Sequence, residues 1–502
     1  MDSRGSAARA PQGPDVRDVV VVGAGMAGLL AAAALARDGR TVTLLDRDDL
    51  PDAPAARRGV PQGRQPHLLL HRGLHAIEQL LPGLADDLRA AGAVPVDTGE
   101  LAWLGASGWT PRTRQLDVLL ASRPLVEHVV RQHVRALPGV RVVDGVRVAG
   151  LRRGEDDGRR WWVDTVGAGW SDAAGVGSSD APPTAPGSGP PTAPPVTTDA
   201  RAWAADVVVE ASGRSSRLPR WLGALGLPPA PVEEVDAGVG YSTVRVRLRP
   251  DAVGAPGAVV LQQVDHGGGL ALPAEDGWWT VTGIGAGVHR PPRDLAGLRA
   301  FLAGLPDDVL ARVAAAGPLE GEPVAHRQTG NLRHRYDRVP GWPDGLVVVG
   351  DALCAFDPVY GQGMTIAALE AHALRTADAN GRLAAPGGAA RLVQQNLRLG
   401  DVPWQIATGE DRVLAGHPPP RDLRTRVAAA WIAEFGRLGA HGDLAASAAL
   451  SRVYHLVAPP TSLFRPGLLA RSLRARVRGY GPAVPRPVLR VDDAPVASGD
   501  AR

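Results

Sequence analysis

Residues 18–46 read DVVVVGAGMAGLLAAAALARDGRTVTLLD, and the reading of this stretch decides the fold. Val19 to Val22 is a continuous β-branched run, as a strand covered on both faces requires. Gly23, Gly25 and Gly28 follow at GxGxxG spacing. The first glycine permits a tight turn, the second lets a pyrophosphate approach the backbone, and the third lets a helix pack closely on the strand. Residues 29–37 are rich in Ala and Leu and predict that helix, with Gly39 as its stop. Residues 41–45 predict a second strand, ending in Asp46, where a carboxylate can accept hydrogen bonds from a ribose diol. The helix N-terminus offers unpaired N–H groups and a positive dipole end to phosphates. The chain is therefore expected to bind a dinucleotide, and this stretch alone leaves NAD and FAD both open.

Composition narrows the class. The chain has 502 residues, enough for two domains or more, and 44% of them are hydrophobic. No apolar run reaches membrane-spanning length, and residues 1–17 are polar without the apolar segment of a signal peptide. A single cysteine excludes an internal disulfide and suits a reducing cytoplasm. The net charge is only +3, and all 55 basic residues are Arg, so no broad field for nucleic acid is implied.

Working outward, residues 57–67 (RRGVPQGRQPH) form a loop leaving the C-terminal end of the second strand, beside the expected ligand crevice. Residues 68–80 predict an amphipathic helix, with His67, His71 and His75 spaced four apart. No carboxylate or Cys completes a ligand set, so no metal is expected. Residues 119–136 predict a strand end and a helix, with Arg123 at its start within reach of phosphates. Residues 141–166 and 200–209 predict strands, and 167–199, rich in Gly, Ser, Pro, Thr and Ala, a disordered hairpin insertion. Residues 206–213 read as a buried strand entering a Gly turn. Between 238 and 287 the pattern changes to alternation, with Val244, Val246 and Leu248 against Arg245, Arg247 and Arg249. That predicts an inserted antiparallel sheet with the Arg face in solvent.

A second strong stretch is 345–370, GLVVVGDALCAFDPVYGQGMTIAALE. It predicts a buried strand, a carboxylate at the crevice from Asp351, a tight loop through Pro358, Gly361 and Gly363, and a helix from Met364. Residues 388–485 read as mostly helical. Within them, 466–478 (PGLLARSLRARVR) is a basic amphipathic helix, for which contact with a membrane surface or an apolar partner is the alternative to the expected packing on one face.

GAGMAG with Asp46, the EASGRSS turn and GDALCAFDPVYGQGM occur in the order and spacing of flavin-dependent monooxygenases of the p-hydroxybenzoate hydroxylase type. RRGVPQGRQPH, DPVYGQGM and the 453–466 segment further resemble FAD epoxidases of polyether-antibiotic pathways and related oxidoreductases. The resemblance covers nearly all of residues 17–480 outside the insertion. It implies an α/β fold: a Rossmann-type FAD-binding domain (18–125, 126–166, 200–235 and 325–385), an inserted antiparallel β-sheet substrate domain (236–324), and a helical C-terminal region (386–485) between disordered tails at 1–17 and 486–502. It implies FAD with its pyrophosphate cradled by Gly23, Gly25 and Gly28, with Met26 and Ala27 between them, and its adenosine ribose on Asp46 beside Arg47. Arg123 would meet the phosphates, Asp351 the ribityl or pyrophosphate end, and Gly361, Gly363 and Met364 the isoalloxazine. Arg57, Arg64 and His67 would lie in the loop beside the flavin, and Gly213, Gly350 and Pro358 complete the cofactor set. The chain departs from the pattern at Glu210, where Asp is common, at Asp357, where Asn is common, and at Gln65-Pro66 in the loop.

The activity so implied is epoxidation or hydroxylation of an apolar, polyene- or terpenoid-like small molecule by O2 through a flavin C4a-hydroperoxide. NAD(P)H would donate electrons transiently, directly or through a separate flavin reductase. No catalytic side chain is required, because the cofactor carries the chemistry. An aromatic hydroxylase, a prenyl-chain or alkene reductase and a flavin-binding scaffold without turnover remain alternatives. A flavin halogenase is disfavoured because that class uses an active-site Lys and this chain has none.

Overall fold

The β-branched run forms the strand Asp18–Val22 at the centre of a five-stranded parallel sheet. The order across the sheet is Leu346–Val348, Val207–Glu210, Asp18–Val22, Thr41–Leu45 and Val140–Val143. The computed structural model describes residues 16–154, 161–167, 201–249, 252–261, 266–417, 422–489 and 491. Helices and a three-stranded antiparallel sheet of Val146–Arg153, Trp161–Gly167 and Arg201–Ala205 cover this sheet, so Val19 to Val22, Val207 to Val209 and Leu346 to Val348 are all buried in one apolar core. The first helix spans Met26–Leu35, three residues earlier than the sequence suggests, because Gly25 already serves as its N-cap. Gly39 follows it with φ +74°, the left-handed conformation that glycine adopts at no steric cost.

Gly23 and Gly28 set the spacing of strand and helix. Gly23 has φ +99°, and a Cβ on Gly28 would sit 1.8 Å from the Gly23 carbonyl oxygen. The long helix Gly363–Ala379 packs against the first helix, so both helix N-termini lie at the same edge of the sheet.

The alternating segment builds a second, seven-stranded sheet. Its order is Leu319–His326, Val239–Arg247, Trp278–Ala286, Gly268–Pro273, Ala258–Val260, Ala102–Gly105 and Gly108–Trp109. All neighbours are antiparallel except Ala258–Val260 with Ala102–Gly105. Helices Leu295–Ala303 and Val309–Ala315 bury one face. Arg245 and Arg247 lie on the outer side, over the Trp278 ring.

Several expectations are corrected. Residues 102–109, assigned by sequence to the FAD-binding domain, join the antiparallel sheet instead. Residues 68–80 are not one helix: Leu68–Leu69 is a short strand and the helix is His71–Leu80. His67 therefore lies off the helix face carrying His71 and His75, whose rings meet edge-on at 4.4 Å. Among the described residues no group of His, Cys, Asp and Glu is arranged to hold a metal. The expected terminal disorder stops short of the core. Val16 is buried and its carbonyl accepts from Arg40, while Leu489 and Val491 are buried, Val491 bridging to Val253. Residues 1–15, 168–200 and 492–502, which hold the remainder of the expected disordered segments, lie outside the described residues. The hairpin that frames the insertion is present, as Trp161–Gly167 pairs antiparallel with Arg201–Ala205.

The close approach at Gly28 makes a direct prediction. Gly28→Val forces the helix away from Gly23 and is expected to lower stability on the order of 3 kcal/mol, as overpacking does. Thermal unfolding of the purified variant reads this as a lower midpoint, and an unchanged midpoint refutes the packing role.

Candidate cofactor and substrate site

The C-terminal edge of the parallel sheet opens on a cavity of about 500 Å³, within the roughly 300–1,000 Å³ usual for cofactor and ligand sites. Three loops converge there: the glycine turn after Val22, the ASGRSS turn after Glu210, and the GDALCAFDPVYGQG loop after Val349. Of the eighteen residues singled out from sequence, all but Gly28 and Arg64 line it. Gly28 instead sets the helix spacing, and Arg64 is exposed on a 3₁₀ turn, so it is withdrawn from the site.

Asp46 is buried, and its two oxygens are already engaged. Ala24 N donates to Oδ2 at 2.6 Å and Asp48 N to Oδ1 at 2.9 Å. It pins the glycine turn as well as facing the cavity. Burial raises its pKa, opposed by Arg57. Arg57 sits at this end of the cavity rather than beside the other loop. It donates to Glu127 at 2.6 Å, to Asp48 at 2.8 Å and to the Ala24 carbonyl at 3.3 Å. Glu127 also meets Arg123 at 3.1 Å and Arg131 at 3.7 Å. Although burial opposes ionisation, Arg123 and Arg57 hold the Glu127 carboxyl below its usual range. The cluster clamps the 57–67 loop and presents Arg123 to the cavity at the start of the helix Arg123–Arg135. Sequence reading missed Glu127, which stands one helical turn after Arg123 and carries an i,i+4 ion-pair signature.

Two of the three departures from the pattern, Glu210 and Asp357, have local explanations. Glu210 is fully buried and lies behind the cavity wall, and burial pushes its carboxyl up to about 7. Its Oε1 accepts from the Ser216 hydroxyl at 2.8 Å and from the Ser212 hydroxyl and amide, so the residue organises the ASGRSS turn. Asp357 does line the cavity. Its Oδ1 accepts from the Tyr241 hydroxyl and from Val359 N at 3.0 Å, and burial raises the carboxyl to about 6. Asn331 links it to Asp411, which Tyr360 also meets at 3.3 Å. This buried chain of polar groups holds the DPVYGQG loop against the antiparallel sheet.

Asp351 lines the cavity, and its carboxylate makes no hydrogen bond among the described residues; burial raises its pKa, while Arg214 and Arg123 oppose the rise. Beyond it the cavity reaches the antiparallel sheet, where Tyr241, Leu270, Leu272, Thr282, Ile284 and His326 line it, facing Gln65, His67 and Leu68. His67 Nδ1 lies 2.8 Å from the Gln65 carbonyl, which gives that nitrogen the proton and leaves Nε2 as an acceptor. Burial, with Arg123 nearby, drives His67 down to about 3, so it is neutral at working pH. His326 Nε2 lies 3.1 Å from the Gln328 carbonyl, and burial lowers this imidazole too.

A residue that sequence reading passed over is Glu370 on the helix Gly363–Ala379. It is buried, accepts from Gly350 N at 2.6 Å, and is pushed by burial up to about 8. An acid raised in the folded state adds its full stability below its unfolded value near 4.5 and loses it as pH rises through about 8. Glu370→Gln keeps an acceptor for Gly350 N without the charge. Its thermal midpoint is expected to match the parent near pH 4.5 and to exceed it increasingly toward pH 8, the stability difference reaching about 3 kcal/mol at neutrality. Parallel melting curves across pH for the two proteins refute this assignment.

Comparison with known proteins adds an independent line. The family described as FAD dependent oxidoreductase matches residues 18–104. Protein Rv3254 of Mycobacterium tuberculosis is 33% identical over 369 residues, covering 71% of this chain and 72% of that protein. Among solved structures, PqsL of Pseudomonas aeruginosa superposes with a TM-score of 0.56 at 18% identity, over 80% of this chain and 98% of PqsL. The p-nitrophenol 4-monooxygenase PnpA of Pseudomonas putida gives 0.53 at 18% identity, over 91% and 97%. These two likenesses are likenesses of fold.

Proposed function

Because the chain belongs to the FAD-dependent oxidoreductases, we propose that it is a monooxygenase that epoxidises or hydroxylates a largely apolar small molecule, of polyene or terpenoid type. The observation that carries this reading is the continuity of one cavity, from the glycine turn and Asp351 to the apolar strands Gly268–Pro273 and Trp278–Ala286. Cofactor and substrate would meet in one continuous cleft.

The residues fit FAD. A Cβ on Gly25 would meet nothing nearer than Arg57 Nη2 at 3.7 Å, and Gly213 and Gly361 have nothing within 4 Å, so the backbone lies open to a ligand. The first helix has no acidic residue in its first turn, and Arg123 adds positive charge, which together suit a pyrophosphate. Asp351, with its carboxylate unpartnered, suits the hydroxyls of a ribityl chain. The N-terminus of Gly363–Ala379 would favour negative charge on a ring system lying against Gly361 and Met364. When bound, FAD would supply the redox chemistry: substrate, O2, NAD(P)H and a proton give oxygenated substrate, NAD(P)+ and water.

This chain's own residues orient and exclude. Leu270, Leu272, Ile284 and Leu68 offer the substrate apolar surface and displace water. The neutral imidazoles of His67 and His326 offer acceptors to a single hydroxyl on that substrate. Tyr241 holds the DPVYGQG loop in place through Asp357 and Val359 N.

The test begins with the visible spectrum of the purified protein. Flavin bands that NADPH bleaches under argon and air restores support the reading, and an oxygenated product of the substrate completes it. Bands that NADPH leaves untouched assign electron supply to a separate reductase. A reduced alkene product formed without oxygen replaces the monooxygenase by a reductase. A colourless protein that cannot be loaded with FAD ends the proposal. Asp351→Ala is expected to weaken FAD binding about tenfold to hundredfold in a fluorescence titration, the effect of losing hydrogen bonds to a charged group.

A further inference from the structure

The helix Pro466–Arg478 carries more apolar surface than the protein covers. Sequence reading expected its apolar side to pack, yet Leu469, Leu473 and Val477 are 43%, 65% and 75% exposed. They recur every four residues and so lie along one face. The side turned to the protein sets Leu468 and Ala475, both half-buried, against the apolar cluster around Phe435, Leu438 and Leu463, and buries Ser472, whose hydroxyl donates to the buried Glu434 at 2.7 Å. Arg476 and Tyr480 complete the contacts to Glu434 at 3.1 and 2.9 Å. The helix is thus held by Leu468, Ala475 and the polar anchor at Glu434, and it presents a further apolar row outward. Phe464 just before it is exposed as well, and the adjoining helix Leu423–Ala440 exposes Leu423, Val427 and Ile432.

Charge in the C-terminal segment that carries this helix has one sign. Residues 444–491 contain eight Arg and no Asp or Glu. Arg471 pairs with Asp443, Arg476 with Glu434, and Arg486 with Asp307. Arg465, Arg474 and Arg478 are exposed and have no acidic partner among the described residues. Arg474 and Arg478 each follow a residue of the apolar row and run alongside it.

We propose that this face docks the enzyme reversibly on an anionic phospholipid surface, with Leu469, Leu473 and Val477 entering the interface and Arg465, Arg474 and Arg478 meeting lipid phosphates. An outward apolar row bordered by arginine, on a helix lying along the protein, is the arrangement that binds in the plane of a membrane surface. A partner protein of ordinary surface would leave the unpaired guanidinium groups unmatched, whereas an acidic lipid surface matches both features. No helix among the described residues is long and apolar enough to cross a membrane, so the contact is peripheral. The docking does not depend on the reaction proposed above.

The test is co-sedimentation of the full-length, FAD-loaded protein with vesicles of phosphatidylcholine alone and of phosphatidylcholine with phosphatidylglycerol in equal parts. Binding is expected to the mixed vesicles, to fall with salt, and to be weak on phosphatidylcholine alone. Leu473→Asp with Val477→Asp abolishes it, and Arg474→Glu with Arg478→Glu lowers the partition coefficient on the order of tenfold or more. Both variants keep the parent's thermal midpoint and flavin spectrum. Val232→Asp, at an exposed apolar position away from this helix, binds as the parent does. Absence of binding to the mixed vesicles, or variants that bind as the parent does, overturns the proposal. So does a dimer, seen by light scattering, that Leu473→Asp splits, which would assign the face to a second copy of the chain.

Discussion

The structure depends on how closely one helix can approach one strand. With no Cβ on Gly28, Met26–Leu35 lies against the turn at Gly23, which sets the height of the helix N-terminus above the sheet edge. Gly350, at φ +63°, repeats the device from the other side, since a Cβ there would come within 2.6 Å of the Ala27 Cβ. Three loops then converge at one edge, where the glycines leave backbone open to a cavity. The same requirement makes the edge expensive to alter, because the approach is made by backbone atoms that no side-chain rotation can relieve.

Buried carboxyl groups do much of the fixing of these loops. Glu210 gathers the ASGRSS turn, Glu370 caps the Gly350 amide, Asp46 holds Ala24 N, and Asp357 holds Val359 N. Glu127 differs because three arginines surround it, so it stays ionised while the others are pushed toward the neutral form. The absence of lysine fits this use. A guanidinium can donate to several acceptors in fixed directions, as Arg57 does to Glu127, Asp48 and Ala24, where an ammonium would act as a point charge.

The legibility of the chain follows the range of the interactions involved. Residues 18–46 and 345–370 were readable because strand, turn and helix there are decided by neighbours in sequence: β-branched runs, glycines at fixed offsets, an acid at a strand end. The hairpin at 102–109 was not, because its place beside Ala258–Val260 rests on a pairing across more than a hundred residues. His67 looked like part of a helical row because spacing alone cannot see that Leu68–Leu69 pairs with Leu119 and Leu120. Arg64 and Arg57 share a loop and looked equivalent. Only Glu127, seventy residues on, distinguishes the buried one. Glu370 was passed over because an acid in a helix ordinarily faces water, and nothing local announces the Gly350 amide waiting for it.

The substrate end of the cavity invites a last step. Its polar groups are mostly committed to one another: the Tyr241 hydroxyl to Asp357, the Thr282 hydroxyl to Thr243, Thr243 to Gln65, and His67 Nδ1 to the Gln65 carbonyl. A group already satisfied inside the protein gives a ligand little beyond shape. Discrimination here would then rest on the apolar surface of Leu270, Leu272 and Ile284, which distinguishes neighbouring alkyl groups only modestly, about 1–3 kcal/mol per methylene. The two ring nitrogens left over, His67 Nε2 and His326 Nδ1, are acceptors without protons, so a substrate hydroxyl placed there would be favoured and a carboxylate disfavoured. On the function proposed above, such a site would favour an apolar molecule with one donor group, placed by its shape and turned by a single hydrogen bond.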